Sequence, residues 1–183
     1  KTKAIIPVNL YGQSAKYNEI TKIAKKYNST VERSSVGEIN VVEKMKACNA
    51  IIGGEGNGGI IYPELHYGRD ALIGVALFLT QLAERKISAK TLRDSFPNYF
   101  ISKNKIELTP EIDVDKILST LAKKYQNEQI TTIDGLKIDF KEGWIHLRKS
   151  NTEPIIRIYA ESDGDEQANA FAQNMIQEIK ELL

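Results

Sequence analysis

A short polar segment between two apolar runs carries the densest set of groups able to hold an anion. Residues 148–154 read Arg-Lys-Ser-Asn-Thr-Glu-Pro, and a further arginine follows closely. A guanidinium pairs with two phosphate oxygens at once, while hydroxyls, an amide and backbone N–H groups can bind the others. The flanking runs, 144–147 and 155–159, have strand composition, which predicts a hairpin tip on a rigid sheet. The candidate phosphate ligands are Arg148, Ser150, Asn151, Thr152 and Arg157. The alternative is a solvated polar turn.

The glycine-rich segment 53–59 carries a second candidate site. It reads Gly-Gly-Glu-Gly-Asn-Gly-Gly and projects the Glu55 carboxylate and the Asn57 amide, a pair suited to neighbouring sugar hydroxyls. A formal G-x-G-x-x-G pattern is present, but a dinucleotide site needs a helix at its last glycine. The sequence continues with Ile-Ile-Tyr-Pro, which is extended, and no Gly-Lys-Ser/Thr of a P-loop follows. The alternative is a glycine-rich turn with solvent-facing polar side chains.

The charge balance excludes one class of partner. Lys plus Arg number 25 against 24 Asp plus Glu, a formal net charge of +1, so we expect no nucleic-acid partner, which usually needs a basic stripe. Any bound anion should therefore be small and locally held. The single cysteine, Cys48, cannot form an internal disulfide, and a cytoplasmic location fits it best.

The apolar stretches are short. The longest, residues 71–83, falls below the roughly 20 residues that span a bilayer, so we expect a buried helix there and no membrane partner. The run at residues 4–8 is too brief for a targeting core. Because the chain opens directly on this core-type strand, we expect it to be part of a longer protein.

The first half alternates strands and helices, which predicts a layered α/β domain with a mostly parallel sheet. Asp70 is expected to cap the long helix that follows it. Strands are predicted at 4–10, 30–33 and 50–52, and helices at 15–27, 40–47, from 70 and over 88–95. After Phe96 the pattern changes, so we predict domains at 1–97 and 98–183.

The second half predicts a smaller α+β domain with an antiparallel sheet. Asp134-Gly135 is a signal for a two-residue hairpin turn. Apolar residues of the last helix, from Phe171 to Leu182, recur on one face, which should lie on the sheet. Strands are predicted at 99–108, 130–133, 136–140, 144–147 and 155–159, and helices at 113–125 and from 165.

Taken together, the two polar segments resemble signatures of the α-D-phosphohexomutase superfamily of phosphoglucomutases, phosphomannomutases and phosphoglucosamine mutases. The glycine segment resembles the sugar-binding loop of that family's third domain. The arginine segment resembles the phosphate-binding loop of its fourth domain, and Arg157 falls where a second phosphate-contacting arginine is often found. Residues 35–38, Ser-Val-Gly-Glu, resemble a third-domain segment that lines the cleft. The resemblance covers most of the third domain and all of the fourth.

The resemblance implies that the intact enzyme interconverts hexose 1-phosphate and 6-phosphate through a bisphosphorylated sugar. Magnesium and a phosphoserine would come from the first two domains, which have no counterpart here. This chain would then hold no catalytic residue, metal or cofactor, and would be inactive alone. Its partners would be a hexose phosphate and the missing N-terminal domains.

The substrate and the function both stay open. Some relatives carry histidines near the reacting sugar where this chain has Glu38 and Gly59, so the hexose could be glucose, mannose or glucosamine. A non-catalytic phosphosugar-binding or interaction module is the alternative function. A third interpretation treats both segments as polar turns without a ligand.

Overall fold

The structure, a computed structural model, describes residues 4–8, 17–26, 28–56, 58–96, 98–109, 111–150 and 153–183. The chain divides into two compact units, Lys1–Asn98 and Tyr99–Leu183. Three predicted site residues, Asn57, Asn151 and Thr152, lie outside the described residues.

The first unit is a layered α/β fold, as predicted. Its strands are β1 (Ala4–Val8), β2 (Thr30–Val31), β3 (Ile52–Glu55), β4 (Ile60–Tyr62) and β5 (His66–Arg69), and its helices are α1 (Tyr17–Lys26), α2 (Glu38–Cys48), α3 (Ala71–Arg85) and α4 (Ala89–Asp94). The sheet order is β2-β1-β3-β4-β5. The first three strands pair in parallel and the last two antiparallel. Helices link the first three strands, which allows parallel pairing. Short turns link β3, β4 and β5, and such turns can join only antiparallel neighbours.

Helix α2 sits directly on strand β3. Val41 and Met45 are fully buried, together with Ala50 and Ile61. A Cβ atom on Gly53 would lie 2.3 Å from the Met45 sulfur, so the missing side chain is what allows this approach. The contact fixes the strand that ends in Glu55.

Helix α3 contradicts the prediction of a buried helix at residues 71–83. None of its residues is buried, and Leu72 and Leu79 are 80% and 56% exposed. Asp70 caps it as expected, accepting hydrogen bonds from the backbone N–H of Leu72 at 2.7 Å and of Ile73 at 3.0 Å. The helix packs mainly against β4. Its apolar side chains therefore stay exposed, although its composition is that of a buried helix.

The second unit is an antiparallel sheet backed by two helices, which confirms the predicted α+β fold. Its strands are β6 (Phe100–Glu107), β7 (Gln129–Thr131), β8 (Leu136–Asp139), β9 (Gly143–Lys149) and β10 (Ile155–Ser162), and its helices are α5 (Val114–Lys124) and α6 (Asp165–Glu181). The order is β6-β10-β9-β8-β7. One sheet face and the two helices enclose the core, which includes Leu121, Leu147, Ile158, Met175 and Ile179.

The β7–β8 connection differs from the predicted two-residue turn. Thr131 pairs with Lys137, so five residues lie between the closing pair. A type I′ turn needs positive φ at both central residues, but only Gly135 adopts it here, at φ 71°, and Asp134 does not. The longer connection lets Asp134 reach the neighbouring strand.

The longest helix among the described residues is α6, with 17 residues. No helix within these ranges has both the length and the apolar character needed to cross a membrane.

Candidate functional site

The glycine segment begins as a strand and closes into a tight turn. Residues 53–55 belong to β3, whereas the strand was expected to end at residue 52. The Gly58 N–H donates to the Glu55 carbonyl at 3.0 Å, and the Glu55 N–H donates to the Gly59 carbonyl at 2.9 Å. Glu55 is therefore held by sheet pairing on one side and by a closed turn on the other.

The Glu55 carboxylate is almost completely buried beside an arginine. Its side chain is 3% exposed, and its Oε2 lies 3.6 Å from Nη1 of Arg69. A buried carboxylate without a partner would be costly, and the guanidinium offsets that cost. Because Arg69 ends strand β5, the pairing ties the glycine turn to the far strand of the sheet.

Glu38 holds the same arginine from the other side. As the first residue of α2, it accepts the backbone N–H of Arg69 through Oε1 at 3.1 Å and the Nε–H through Oε2 at 2.9 Å. The backbone hydrogen bond, and then the guanidinium, lower the pKa of the Glu38 carboxyl below its ordinary value. Arg69 therefore bridges two carboxylates.

Asp70 and His66 complete the charged group. The His66 Nδ1 accepts the Gly68 N–H at 3.0 Å, so its Nε2 carries the proton and donates to the Asp70 carboxylate at 3.1 Å. The hydrogen bond from the Ile73 N–H, and then that from His66, lower the pKa of Asp70. The lowered pKa values favour the ionised form of the Glu38 and Asp70 carboxylates.

A cleft of about 540 Å³ opens beside this group. It is lined by Glu38, Gly58, Gly59, Arg69, Asp70 and Ala71. Carboxylates, a guanidinium and exposed glycine backbone supply donors and acceptors for a ligand rich in hydroxyls. We missed Arg69 as a site residue in the sequence. Its only signal was its place in Tyr-Gly-Arg-Asp, directly before the Asp70 cap.

The second unit places two arginines side by side. Arg148 on β9 and Arg157 on β10 are direct partners in the antiparallel register, so their side chains leave the same face of the sheet. Their side chains are 28% and 33% exposed. Both strands run into the hairpin tip, where the Ser150 N–H donates to the Ile155 carbonyl at 3.1 Å.

Each arginine also contacts its own carboxylate. Nε of Arg148 lies 3.2 Å from Oδ1 of Asp134, and Nη2 of Arg157 lies 3.9 Å from Oε2 of Glu153. Separate counter-ions keep two like charges compatible on neighbouring strands, where unpaired ones would repel. The structure therefore brings Arg148, Ser150 and Arg157 together in the second unit, while Glu55 lies in the first.

Within the described ranges, no three His, Cys, Asp or Glu side chains cluster so as to hold a metal ion. The described residues therefore provide no site for the magnesium, which the family resemblance assigns to domains outside this chain.

Two family models match the chain. The model for phosphoglucomutase/phosphomannomutase, alpha/beta/alpha domain III, matches residues 13–99, and the model for the phosphoglucomutase/phosphomannomutase C-terminal domain matches residues 105–178. Together they account for most of the sequence.

Curated relatives and solved structures agree. The phosphoglucosamine/phosphogalactosamine mutase of Sulfurisphaera tokodaii is 37% identical over 90% of this chain and 36% of its own length. The phosphoglucomutase/phosphomannomutase of Thermococcus kodakarensis is 35% identical over 91% and 36%. A phosphoglucomutase/phosphomannomutase family protein from Burkholderia thailandensis superposes with a TM-score of 0.73 at 21% identity, covering 98% of this chain and 37% of that one, which shows a shared fold. The chain thus spans 36% of the length of these two curated relatives.

Proposed function

The chain belongs to the phosphoglucomutase/phosphomannomutase family, of which it carries domain III and the C-terminal domain, and on that basis we propose that it binds the sugar and the phosphate of a hexose phosphate within a phosphohexomutase. The complete enzyme interconverts hexose 1-phosphate and 6-phosphate through a bisphosphorylated sugar. The chain contributes positioning and no reacting group.

The observation that carries the proposal is the pair of arginines on β9 and β10. Arg148 and Arg157 are register partners at the base of one hairpin tip. Two guanidinium groups on a sheet suit the oxygens of a phosphate monoester, because each can pair with two oxygens. Ser150, Asn151 and Thr152 complete the proposed phosphate-binding segment.

The glycine turn supports the sugar-binding half of the proposal. Glu55 is fixed by β3, by the closed turn and by Arg69. A carboxylate held in this way is a fixed, oriented acceptor for a ring hydroxyl. Glu55 and Asn57 are the proposed sugar ligands. The cleft in the same unit is lined by Gly58 and Gly59 of the glycine turn and by Arg69, the partner of Glu55.

Positioning of this kind contributes much of the rate enhancement in phosphoryl transfer, where the protein performs little covalent chemistry. The phosphate that is not being transferred is held by the Arg148 segment, and the ring is held through its hydroxyls. The phosphoserine and the magnesium belong to the remainder of the enzyme. No step of the chemistry is assigned to a side chain of this chain.

We include in this proposal domain limits of 1–97 and 98–183 and a cytoplasmic location. The location is supported by the single cysteine, whose thiol donates to the Lys44 carbonyl at 3.0 Å. A protein with one free thiol fits a reducing compartment.

An NMR titration of the 183-residue chain with glucose 6-phosphate tests the function. We expect weak, about millimolar, binding, with amide shifts at residues 148–157 and around Glu55 and Arg69. Arg148→Ala should weaken binding by about 1.5–3 kcal/mol, the value of a charge-assisted hydrogen bond. Arg148→Lys, which keeps the charge and loses the planar fork, should recover only part of it.

Two other results would point elsewhere. Micromolar binding by this chain alone would favour the rival function, a phosphosugar-sensing module that needs no further domains. Unchanged spectra at high ligand concentration, or equal affinity in the Arg148→Ala variant, would reject the phosphate site.

A further inference from the structure

One residue of the β7–β8 connection, Asp134, contacts strand β9 at two points. The His146 Nε2–H donates to the backbone carbonyl of Asp134 at 2.6 Å. The Asp134 carboxylate in turn contacts the Arg148 Nε at 3.2 Å. His146 and Arg148, two positions apart, lie on the same face of β9. This face therefore holds Asp134 by both its backbone carbonyl and its carboxylate.

The next residue fixes the position of this connection. Gly135 has a positive φ of 71°, and a Cβ atom there would lie 2.1 Å from the Leu147 carbonyl oxygen. The backbone at Gly135 therefore lies against the backbone of β9, between the two residues that contact Asp134. The backbone that carries the Asp134 side chain is therefore fixed relative to β9.

The contact involves the Nε side of the guanidinium. Arginine presents five N–H groups in a rigid planar fork, one on Nε and four on the terminal nitrogens. A carboxylate bound at Nε fixes the plane of the fork and leaves the terminal nitrogens able to pair with two oxygens of an anion. Affinity gained in this way comes from pre-organisation, because less side-chain entropy is lost on binding.

We propose that Asp134 is a positioning residue of the phosphate site, which orients Arg148 for bidentate binding of a phosphate monoester dianion. The inference rests on the proposed function, since it assumes that Arg148 binds phosphate. It adds a residue outside the Arg148–Thr152 segment, on a connection that the chain reaches before β9.

The proposal predicts a change in phosphate affinity opposite in sign to the change that the loss of a negative charge alone would cause. Asp134 is negative, so its removal should strengthen the binding of a dianion if only the long-range field mattered. If orientation dominates, its removal weakens binding. A substitution that keeps an oxygen acceptor in place should restore affinity even though the charge is lost.

The test is an NMR titration of the full chain with glucose 6-phosphate and, separately, with inorganic phosphate. We expect Asp134→Ala to bind about fivefold more weakly or worse, and Asp134→Asn to stay within about threefold of the unsubstituted chain. Asp115→Ala is the matched control, because Asp115 is an exposed carboxylate beside Lys149, on the other face of β9, and its loss should leave binding equal or tighter.

A spectroscopic measurement separates positioning from general structural damage. The Arg148 Nε–H signal should be protected from solvent exchange in the unsubstituted chain and in Asp134→Asn, and should lose protection in Asp134→Ala. If Asp134→Ala does not fold, Asp134→Glu replaces it. This variant keeps the charge but displaces the carboxylate, so we expect binding weaker by about threefold or more.

The outcomes of the two proposals are distinct. Asp134→Ala or Asp134→Glu binding as tightly as the unsubstituted chain, while Arg148→Ala binds poorly, overturns the positioning role and leaves the phosphate site intact. Absence of binding by the unsubstituted chain overturns the proposed function, and the positioning role with it.

Discussion

The Glu55 side chain is 3% exposed, and its carboxylate lies 3.6 Å from the Arg69 guanidinium. We expect Glu55→Gln to weaken the binding of glucose 6-phosphate, because a neutral amide accepts hydroxyl hydrogen bonds less strongly and leaves Arg69 with one carboxylate fewer. Binding of inorganic phosphate should not change, since it has no ring to hold. Arg148→Ala, by contrast, should weaken both. Parallel titrations of the two ligands measure this, and an equal loss for both in Glu55→Gln would remove the proposed sugar contact.

His146 links the stability of the second unit to pH. Burial lowers its pKa below the ordinary value of 6.5, Lys137 and Arg148 act in the same direction, and the bond to the Asp134 carbonyl opposes them. The unfolded chain therefore binds a proton at a higher pH than the folded one does. This contribution to stability is present above pH 6.5 and is lost as pH falls towards the lowered folded-state pKa.

Urea unfolding between pH 7.5 and about 5 checks this prediction. The single tryptophan, Trp144, is 8% exposed and reports on the second unit. We expect His146→Gln to lose stability less steeply on acidification than the unsubstituted chain. His66→Gln, in the other unit, should keep the original slope. Identical slopes in all three proteins would show that His146 does not contribute.

At the scale of elements, the β7–β8 connection depends on one glycine. Alanine at Gly135 would have to adopt φ 71° and move its Cβ away from the Leu147 carbonyl oxygen, 2.1 Å distant. We expect Gly135→Ala to reduce the free energy of unfolding of the second unit by about 1–3 kcal/mol. The measurement is urea unfolding followed by Trp144 fluorescence.

Gly164 offers a matched control in the same unit. It precedes α6 with φ −126°, and the nearest atom to an added Cβ would be 4.0 Å away. Gly164 is the N-cap of α6, where alanine is less favourable than glycine, so Gly164→Ala should cost about 0.5–1 kcal/mol, less than Gly135→Ala. Equal stability losses in the two variants would refute a special role for the turn geometry.

At the scale of the whole molecule, α3 leaves an apolar stripe exposed. Leu72, Val75 and Leu79 are 80%, 53% and 56% exposed and share one helix face by their i, i+3, i+7 spacing. Exposed patches of this kind promote association and bind hydrophobic dyes. We expect the chain to bind such a dye, and Leu72→Gln with Leu79→Gln to reduce the fluorescence by about half or more.

The control is Ile39→Gln. Ile39 is 75% exposed on α2, outside this stripe, so its substitution should leave dye fluorescence nearly unchanged. The α3 variant should also unfold within about 0.5 kcal/mol of the unsubstituted chain, because exposed residues contribute little to stability. Dye binding that survives the combined Leu72→Gln and Leu79→Gln substitutions would place the apolar surface elsewhere.

Local chemistry let the sequence alone determine much of this protein. Asp70 was recognisable as a helix cap, because a cap depends only on its own side chain and the next few amides. The β9–β10 hairpin followed from two apolar runs around a polar turn. Both fold classes were confirmed, since the order of strands and helices constrains how layers can form. Glu55 and Arg148 remain predictions as ligand-binding residues.

Tertiary structure decided the contacts between residues distant in the chain. Glu38 and Arg69 are separated by 31 positions, and no periodicity predicts such a pair. The same holds for Asp134 and Arg148, which meet because the turn at Gly135 folds onto β9. The exposure of α3 was also beyond sequence reasoning, because apolar composition states what a helix could bury, whereas burial depends on which elements surround it.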